Sequence, residues 1–205
     1  MIAIVDYGVG NLFSLRSSFA RLGEDARVTR DGAEICAAER VVLPGVGAFG
    51  DAAEKLRRTG LDRAVLEAAA RGTPLLGICL GMQLLLERSY EYGEHAGLGL
   101  IPGAVRPIAE VIPPDYKIPH IGWNALDFTP AGQASPLFRA VRAGQHVYFV
   151  HSYYAADCAA YTLATVDYGA PLTAAVAKDN VYGCQFHPEK SGSVGLRILK
   201  AFCEV

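Results

Sequence analysis

The chain lacks the paired cysteines typical of disulfide-rich secreted proteins. It also lacks the clustered positive charge typical of nucleic-acid-binding proteins. Its 205 residues include five cysteines, an odd number without close spacing. No disulfide framework is indicated, which favours a reducing compartment. Lys and Arg together number 19 against 21 Asp and Glu, for a net charge of −2. Because neutralising phosphates takes clustered basic side chains, the sequence argues against nucleic acid as a partner.

Long apolar runs are also absent. No run approaches the roughly 20 residues that a membrane-spanning helix requires. The opening run Met1–Val5 has no basic residues before it and is too short for a signal peptide, so it indicates a first strand. The composition is 51% hydrophobic, and the chain contains no repeat, low-complexity tract or long linker. We therefore expect one soluble, cytoplasmic domain spanning residues 1–205, with no membrane contact.

In the first half of the chain, short apolar runs alternate with helical patterns. The predicted strands are Ile2–Val5, Arg40–Leu43 and Leu75–Ile78, and the predicted helices are Leu12–Leu22, Ala52–Arg58 and Leu61–Arg71. Asn11 is the predicted N-cap of the first helix. This order predicts an α/β fold with a mostly parallel central sheet and helices on both faces.

After Leu98 the apolar runs become more closely spaced. Strand-like runs lie at His146–Val150, Thr162–Val166, Thr173–Val176 and Tyr182–Phe186, and a helical pattern follows at Gly195–Phe202. The close spacing predicts an added antiparallel piece before the last helix. The proline-rich stretch Ile112–Pro119 is interpreted as a loop and not as a domain boundary.

The segment Gly-Ile-Cys-Leu-Gly at 77–81 is typical of a nucleophile mounted on a sharp strand-to-helix turn. A short predicted strand precedes it, and the helix formers Met82–Glu87 follow. Glycines on both sides of Cys79 remove side chains that would clash in such a turn. Cys79 is then expected to be exposed at a helix N-terminus, where the thiolate is favoured. The alternative is a buried free cysteine in a glycine-rich turn.

A histidine and a carboxylate stand two residues apart near the end of the chain, at His187 and Glu189. Pro188 between them favours an extended segment, in which both side chains point to the same side. Glu189 can then accept the Nδ1–H of His187 and leave Nε2 facing Cys79, as in a nucleophile–base–acid triad. The alternative is a partly buried histidine beside a solvated carboxylate.

Six segments together resemble a known family. They are Asp6–Leu12, Pro44–Phe49, Gly77–Gln83, Pro119–Asn124, Tyr148–Tyr153 and Gln185–Ser191. The triad segments resemble class I glutamine amidotransferases, and the first and fourth segments resemble, among these, the glutaminase subunits of imidazole glycerol phosphate synthase. The resemblance spans almost the whole chain and implies a single-domain class I glutamine amidotransferase fold.

The resemblance also implies an activity and a partner. Glutaminases of this family hydrolyse L-glutamine to glutamate and ammonia through a cysteine thioester, with no cofactor. The partner is expected to be a cyclase with a (β/α)8 barrel, forming a heterodimer. It uses the ammonia to make imidazole glycerol phosphate and aminoimidazole carboxamide ribotide in histidine biosynthesis. No nucleic acid or membrane is implied.

Attack on a carboxamide makes a tetrahedral oxyanion, which needs two preplaced hydrogen-bond donors. The N–H of Leu80, directly after the nucleophile, is one candidate, and an N–H from Val46 or Gly47 is the other. The glycines that flank Val46 leave this peptide free to reorient, so the hole is not necessarily complete in the isolated chain. The alternative for Val46 and Gly47 is a tight turn that only connects a strand to a helix.

Further site residues follow from the resemblance alone. The substrate-binding residues that it implies are Gly47, Gln83, Glu91, Ser152 and Tyr153, and the partner-facing residues are Asn11, Trp123, Tyr148 and Lys190. Glu91 lies in the acidic run Glu87–Glu94, where a charge is usually solvated. Trp123 is the only tryptophan, and its bulk alone favours the core, whereas the resemblance places it against the partner.

Three other patterns carry less weight. Gly8-Val9-Gly10 lacks the third glycine of a dinucleotide fingerprint. His146 and His151 bracket a strand but face opposite sides, so they predict no metal site. The other cysteines, Cys36, Cys158, Cys184 and Cys203, lack metal-ligand spacing and are interpreted as packing residues. A stand-alone glutaminase of another pathway, such as pyridoxal phosphate synthesis, and a non-catalytic binding module on the same fold stay open as alternative functions.

Overall fold

The N-terminal apolar runs form the middle of an eight-stranded sheet. A computed structural model describes residues 1–205. Its strands are β1 (Ile2–Val5), β2 (Ala26–Thr29), β3 (Arg40–Leu43), β4 (Leu75–Ile78), β5 (Leu86–Ser89), β6 (His95–Ala96), β7 (Ile101–Pro107), β8 (His120–Ala125), β9 (Asp127–Phe128), β10 (His146–His151), β11 (Tyr153–Ala156), β12 (Thr162–Asp167), β13 (Pro171–Lys178) and β14 (Val181–Cys184). Its α-helices are α1 (Leu12–Arg21), α2 (Gly32–Ala37), α3 (Phe49–Arg58), α4 (Leu61–Ala70), α5 (Leu80–Leu84), α6 (Pro130–Ala134) and α7 (Gly192–Cys203). Short 3-10 turns lie at Ile108–Glu110, Pro136–Phe138, Ala159–Tyr161 and Pro188–Lys190.

The central sheet combines a parallel and an antiparallel part. Its strand order is β2-β1-β3-β4-β14-β13-β12-β9. The first five strands pair in parallel, and β13, β12 and β9 continue the sheet in antiparallel pairs. Two smaller sheets, β11-β7-β5-β6 and the antiparallel pair β10-β8, are separate from the central sheet. The predicted parallel sheet with an added antiparallel piece is confirmed.

Helices cover both faces of the central sheet, as the alternating order predicts. Side chains along β1 alternate, so Ile2 and Ile4 belong to one core cluster while Ala3 and Val5 belong to the other. Helices α1 and α7 pack on the first cluster, and α2, α3 and α4 on the second. Fully burying one phenylalanine of these helices, such as Phe19 or Phe49, is worth roughly 2–3 kcal/mol. No helix is long and apolar enough to span a membrane.

Two elements before β3 were not predicted, and one predicted helix end is wrong. Strand β2 and helix α2 were not predicted, because β2 is a half-exposed edge strand without apolar alternation and α2 has only six residues. The helix after the nucleophile ends at Leu84 and does not continue to Glu87. The carbonyls of Leu84 and Leu85 accept hydrogen bonds from residues 98, 100 and 101 instead, so strand pairing overrides helix propensity there. Asn11 is the N-cap residue of α1, as predicted, although its side chain makes no capping hydrogen bond.

Candidate active site

The nucleophile segment is a sharp elbow between β4 and α5. Cys79 has φ +55° and ψ −113°, a conformation that is strained for a residue with a side chain. A Cβ at Gly81 would overlap the carbonyl oxygen of Leu43, and a Cβ at Gly77 would lie 2.7 Å from the carbonyl oxygen of Gly81. The backbone N–H of Cys79 also donates to the Cys184 carbonyl at 2.8 Å. Close packing therefore requires both glycines and holds the elbow in place.

The expectation that Cys79 is exposed is wrong. Its side chain lies at the wall of a cavity of about 630 Å³, and the residue is only 7% exposed. The elbow is packed between β14 and the loop after β3, so the thiol opens into the cavity and not onto the surface. Water has limited access to the sulfur, which strengthens every electrostatic interaction that reaches it.

The His187 ring and the Glu189 carboxylate form a buried pair. His187 Nδ1 lies 2.8 Å from Glu189 Oε1, and both side chains are at most 3% exposed. The expected extended segment is wrong, because Pro188–Lys190 is a 3-10 turn, and this turn brings the carboxylate to Nδ1 of the ring. Ser191 fixes this turn, since its hydroxyl donates to the His187 carbonyl at 2.6 Å and accepts from the Tyr148 N–H at 2.9 Å.

The charges around the ring favour the protonated histidine. Burial lowers the pKa of His187, but interactions with Cys79 and Glu189 outweigh burial and raise the pKa to about 9. Nε2 is buried and has no hydrogen-bond partner. Cys79 and His187 line the same cavity, and no hydrogen bond joins Nε2 to the sulfur in this structure. At neutral pH the site favours an imidazolium beside the thiol.

The cavity brings together most of the residues predicted for the site. Its wall includes Val46, Gly47, Cys79, Leu80, Gln83, Glu91, Ser152, Tyr153, His187 and Lys190. Glu189 stands behind the histidine ring and does not line the cavity. Gly47 has φ +94° with open space where a Cβ would stand, so its backbone takes a conformation that other residues rarely adopt.

The solvated interpretation of Glu91 is wrong. The residue is 8% exposed, and its carboxylate accepts a hydrogen bond of 2.6 Å from the backbone N–H of Phe49. Burial raises the pKa of Glu91 despite this hydrogen bond. A buried carboxylate in the cavity wall is suited to binding a cationic group of a ligand.

A buried polar network that begins in the cavity wall was missed by the sequence analysis. The Tyr153 carbonyl accepts from Gln83 Nε2 at 3.1 Å and from His151 Nδ1 at 2.8 Å. His151 Nε2 lies 3.0 Å from His120 Nδ1, and His120 Nε2 lies 2.9 Å from the Asn124 side chain. Burial lowers the pKa of His151 to about 4, so the ring stays neutral. Its Nδ1–H donates to the Tyr153 carbonyl and holds this part of the backbone in place.

Two more buried polar side chains near Cys79 were missed. Gln185 makes contacts with Cys79 and Gln83, and the Tyr7 hydroxyl donates to the Pro44 carbonyl at 2.7 Å. Burial, and secondarily the charge of Cys79, raises the pKa of Tyr7, so its hydroxyl keeps its proton. Tyr7 lies in the segment Asp6–Leu12 and Gln185 in the segment Gln185–Ser191, but only the folded chain shows which groups they contact.

Three of the four residues expected to face a partner form a continuous surface beside the cavity. Trp123 is 53% exposed, so the interpretation of this residue as core is wrong. Its ring meets the Tyr148 ring edge-on at 6.0 Å, and Lys190 Nζ lies 5.8 Å above the same ring. Asn11 precedes α1, which packs against the Pro188–Lys190 turn.

The structure explains the glycine, histidine and cysteine patterns for which the sequence predicts no ligand site. A Cβ at Gly10 would lie 3.1 Å from the Pro44 side chain, so this glycine allows two loops to pack closely. His146 is exposed and His151 is buried, on opposite sides of β10. No group of three or more His, Cys, Asp or Glu side chains is placed to hold a metal ion. Cys158, Cys184 and Cys203 are buried as packing residues, and Cys36 is half-buried.

Comparison with known proteins agrees with this geometry. Residues 3–204 match the family described as glutamine amidotransferase class-I. The chain is similar to imidazole glycerol phosphate synthase subunit HisH of Wolinella succinogenes, with 48% identity over 207 residues and 100% of both chains covered. It is also similar to the subunit of that name from Lacticaseibacillus casei, with 50% identity over 207 residues, covering 100% of this chain and 96% of the relative.

Solved structures support the fold. The structure of PurLQS from Thermotoga maritima superposes with a TM-score of 0.76 at 19% identity, covering 99% of this chain and 97% of that chain. The chain belongs to the class I glutamine amidotransferase family and, within that family, to the imidazole glycerol phosphate synthase subunits HisH.

Proposed function

We propose that this chain hydrolyses L-glutamine to glutamate and ammonia through a thioester on Cys79. The observation that carries the proposal is the strained elbow cysteine sharing a cavity with His187, whose ring is hydrogen-bonded to Glu189 at 2.8 Å. A nucleophile, a base and an orienting acid in this order are what covalent amide hydrolysis requires. Family membership supplies the substrate class.

Thioester formation uses the proton held on His187. The Cys79 thiolate attacks the side-chain amide carbon of glutamine and forms a C–S bond. The oxyanion that results is stabilised by the N–H of Leu80 and by an N–H of Val46 or Gly47. His187 then gives its proton to the amide nitrogen, the C–N bond breaks, and ammonia leaves.

In thioester hydrolysis, His187 first acts as a base, whereas it acts as an acid in thioester formation. Neutral His187 takes a proton from water, whose oxygen attacks the thioester carbon and forms a second oxyanion in the same hole. The C–S bond breaks, glutamate leaves, and the thiolate returns beside the imidazolium. Glu189 keeps the Nδ1 proton in place throughout, so Nε2 alone exchanges protons.

The cavity wall offers complementary charges for the other end of glutamine. The buried Glu91 carboxylate binds the α-ammonium group, and backbone groups of Gly47, Ser152 and Tyr153 bind the α-carboxylate. Gln83 contributes at the amide end. Support for these roles is that all five residues line the cavity that contains Cys79.

The ammonia serves a partner subunit in the cytoplasm. The relatives are named as subunits of imidazole glycerol phosphate synthase. By that relation, a cyclase with a (β/α)8 barrel docks beside the cavity and uses the ammonia to make imidazole glycerol phosphate and aminoimidazole carboxamide ribotide. Exposed apolar side chains of Ile118, Ile121 and Trp123 support a protein contact at this face. Asn11, Tyr148 and Lys190 contribute the polar part.

Cyclase assays with two nitrogen sources test the proposal. Cys79→Ala should abolish the reaction supplied by glutamine and leave the reaction supplied by ammonium unchanged, because the two chemistries use different sites. Cys36→Ala, at a half-buried cysteine outside the cavity, is the matched control and should retain both activities. Retention of the glutamine-supplied reaction in Cys79→Ala contradicts the proposal, as does copurification with a partner of another pathway.

A further inference from the structure

The carboxamide of Gln185 lies against the sulfur of Cys79. Gln185 Nε2 is 3.7 Å from Cys79 Sγ, and Gln185 Oε1 accepts a hydrogen bond of 3.0 Å from Gln83 Nε2. The residue is 0% exposed, and its backbone N–H donates to the Ala174 carbonyl at 2.8 Å. Both the backbone and the side chain are therefore held, and the hydrolysis steps described above make no use of the carboxamide.

Neighbouring groups determine which end of this carboxamide faces the sulfur. The Tyr153 carbonyl oxygen can only accept, so the Gln83 side chain turns its NH2 group towards that oxygen, at 3.1 Å. The second hydrogen of the same NH2 group is donated to Gln185, and the atom that receives it is Oε1. Gln185 therefore directs its own NH2 group at Cys79 Sγ.

From this geometry we propose that Gln185 is a catalytic residue that donates a hydrogen bond to the Cys79 thiolate, with Gln83 as the residue that positions it. The inference rests on the proposed glutaminase activity and adds a group to that site. A buried amide N–H stabilises a sulfur anion more than a neutral thiol, because charge strengthens the hydrogen bond. Gln185 has no titrating proton, so it stabilises the thiolate without competing with His187 for the proton.

The same donor acts at two points of the cycle. It lowers the cost of forming the thiolate before attack on glutamine. It also stabilises the sulfur as the leaving group when the C–S bond of the second tetrahedral intermediate breaks. Loss of the donor should therefore lower the turnover of glutamine more than it changes KM, because glutamine itself is bound by other groups.

Alkylation of Cys79 measures thiolate stability without any substrate. The full-length chain is treated with iodoacetamide over a pH range from about 5 to 10, and the Cys79 peptide is quantified by mass spectrometry. Gln185→Met keeps the side-chain length but has no donor. It should move the pH midpoint of alkylation upwards by about one unit and lower glutamine hydrolysis in the cyclase complex about tenfold. Gln133→Met, the same change on the exposed face of α6, should alter neither.

If Gln185→Met folds correctly and its pH midpoint of Cys79 alkylation is unchanged, the inference is overturned, whatever happens to activity. A purely structural glutamine would lower activity without changing the stability of the thiolate. Thermal unfolding checks the fold. If Gln185→Met does not fold, Gln185→Asn decides in the same way, since its shorter side chain withdraws the amide from the sulfur. Absence of glutamine hydrolysis in the wild-type complex would instead contradict the proposed function, and the alkylation profile separates the two failures.

Discussion

At the residue scale, the chemistry depends on where one proton resides. The pKa of His187 is raised to about 9 because interactions with Cys79 and Glu189 outweigh the effect of burial. A raised pKa means that the ring is protonated through the neutral range. Its contribution to the free energy of unfolding is fully present below the unfolded-state pKa of about 6.5 and is lost as the pH rises through about 9.

The pH dependence of glutamine hydrolysis follows from this proton. The turnover of the cyclase complex should fall as the pH rises through about 9, because neutral His187 cannot protonate the departing ammonia. Glu189→Gln should move this alkaline limb to lower pH, since the carboxylate is one cause of the raised pKa. Glu54→Gln, at an exposed carboxylate, is the control. Steady-state rates across the pH range provide the measurement, and superimposable limbs in wild type and Glu189→Gln would rule out the assignment.

The relative size of two substitutions separates the roles of base and orienting acid. His187→Asn should reduce glutamine hydrolysis by roughly 10²- to 10⁴-fold, because no other group at the site exchanges the proton. Glu189→Gln should retain more activity, since Nε2 survives and only the orientation of the ring is weakened. Ammonia release by the cyclase complex is the quantity to measure. Full activity in Glu189→Gln would reduce Glu189 to a structural carboxylate.

At the element scale, the strand–elbow–helix unit of β4 and α5 depends on glycines, which have no side chain. A Cβ at Gly81 would overlap the Leu43 carbonyl, which is backbone and cannot move without disturbing β3. We therefore expect Gly81→Ala to destabilise the fold by about 2 kcal/mol or more and to remove activity. Gly32→Ala is the control, because its Cβ would meet only Ala64 at 3.4 Å. Denaturant unfolding measures both, and equal midpoints would contradict the packing argument.

Elements that carry their own pattern were predictable, and those defined by distant contacts were not. The apolar runs of β1, β3 and β4 and the helix that became α4 were predicted with nearly the observed bounds. Strand β5 could not be distinguished from a helix in the sequence, because leucines such as Leu84, Leu85 and Leu86 occur in both. Their hydrogen bonds with residues near Ile101 determine that the helix ends and a strand begins. Likewise, the triad side chains stand in short motifs, whereas the contacts of Gln185 with Cys79 and of His151 with His120 join segments that are far apart in sequence.

At the scale of the whole molecule, the exposed aromatic face of Trp123 and Tyr148 beside the cavity is the proposed surface for a partner. Trp123→Ala should leave the melting temperature of the isolated chain nearly unchanged, because a half-exposed ring leaves no core cavity. It should weaken binding of the cyclase by about 2 kcal/mol or more if Trp123 anchors the interface. Thermal unfolding and a cyclase titration measure the two effects.

A neighbour on the paired strand provides the contrast. Phe149→Ala removes a fully buried ring from β10 and should cost about 3–5 kcal/mol of stability in the isolated chain. If Trp123→Ala lowers the melting temperature as Phe149→Ala does while cyclase binding is unaltered, Trp123 belongs to the core and not to the interface.

The most direct test of the central mechanism is covalent labelling by a glutamine analogue that carries an electrophile at the γ position. The chain or its cyclase complex is incubated with the analogue, digested, and analysed by peptide mass spectrometry while ammonia release is followed. Our mechanism predicts one adduct per chain, on Cys79, with loss of ammonia release in proportion to labelling. Modification of Cys184 or Cys36 instead, or full labelling with hydrolysis intact, would contradict it.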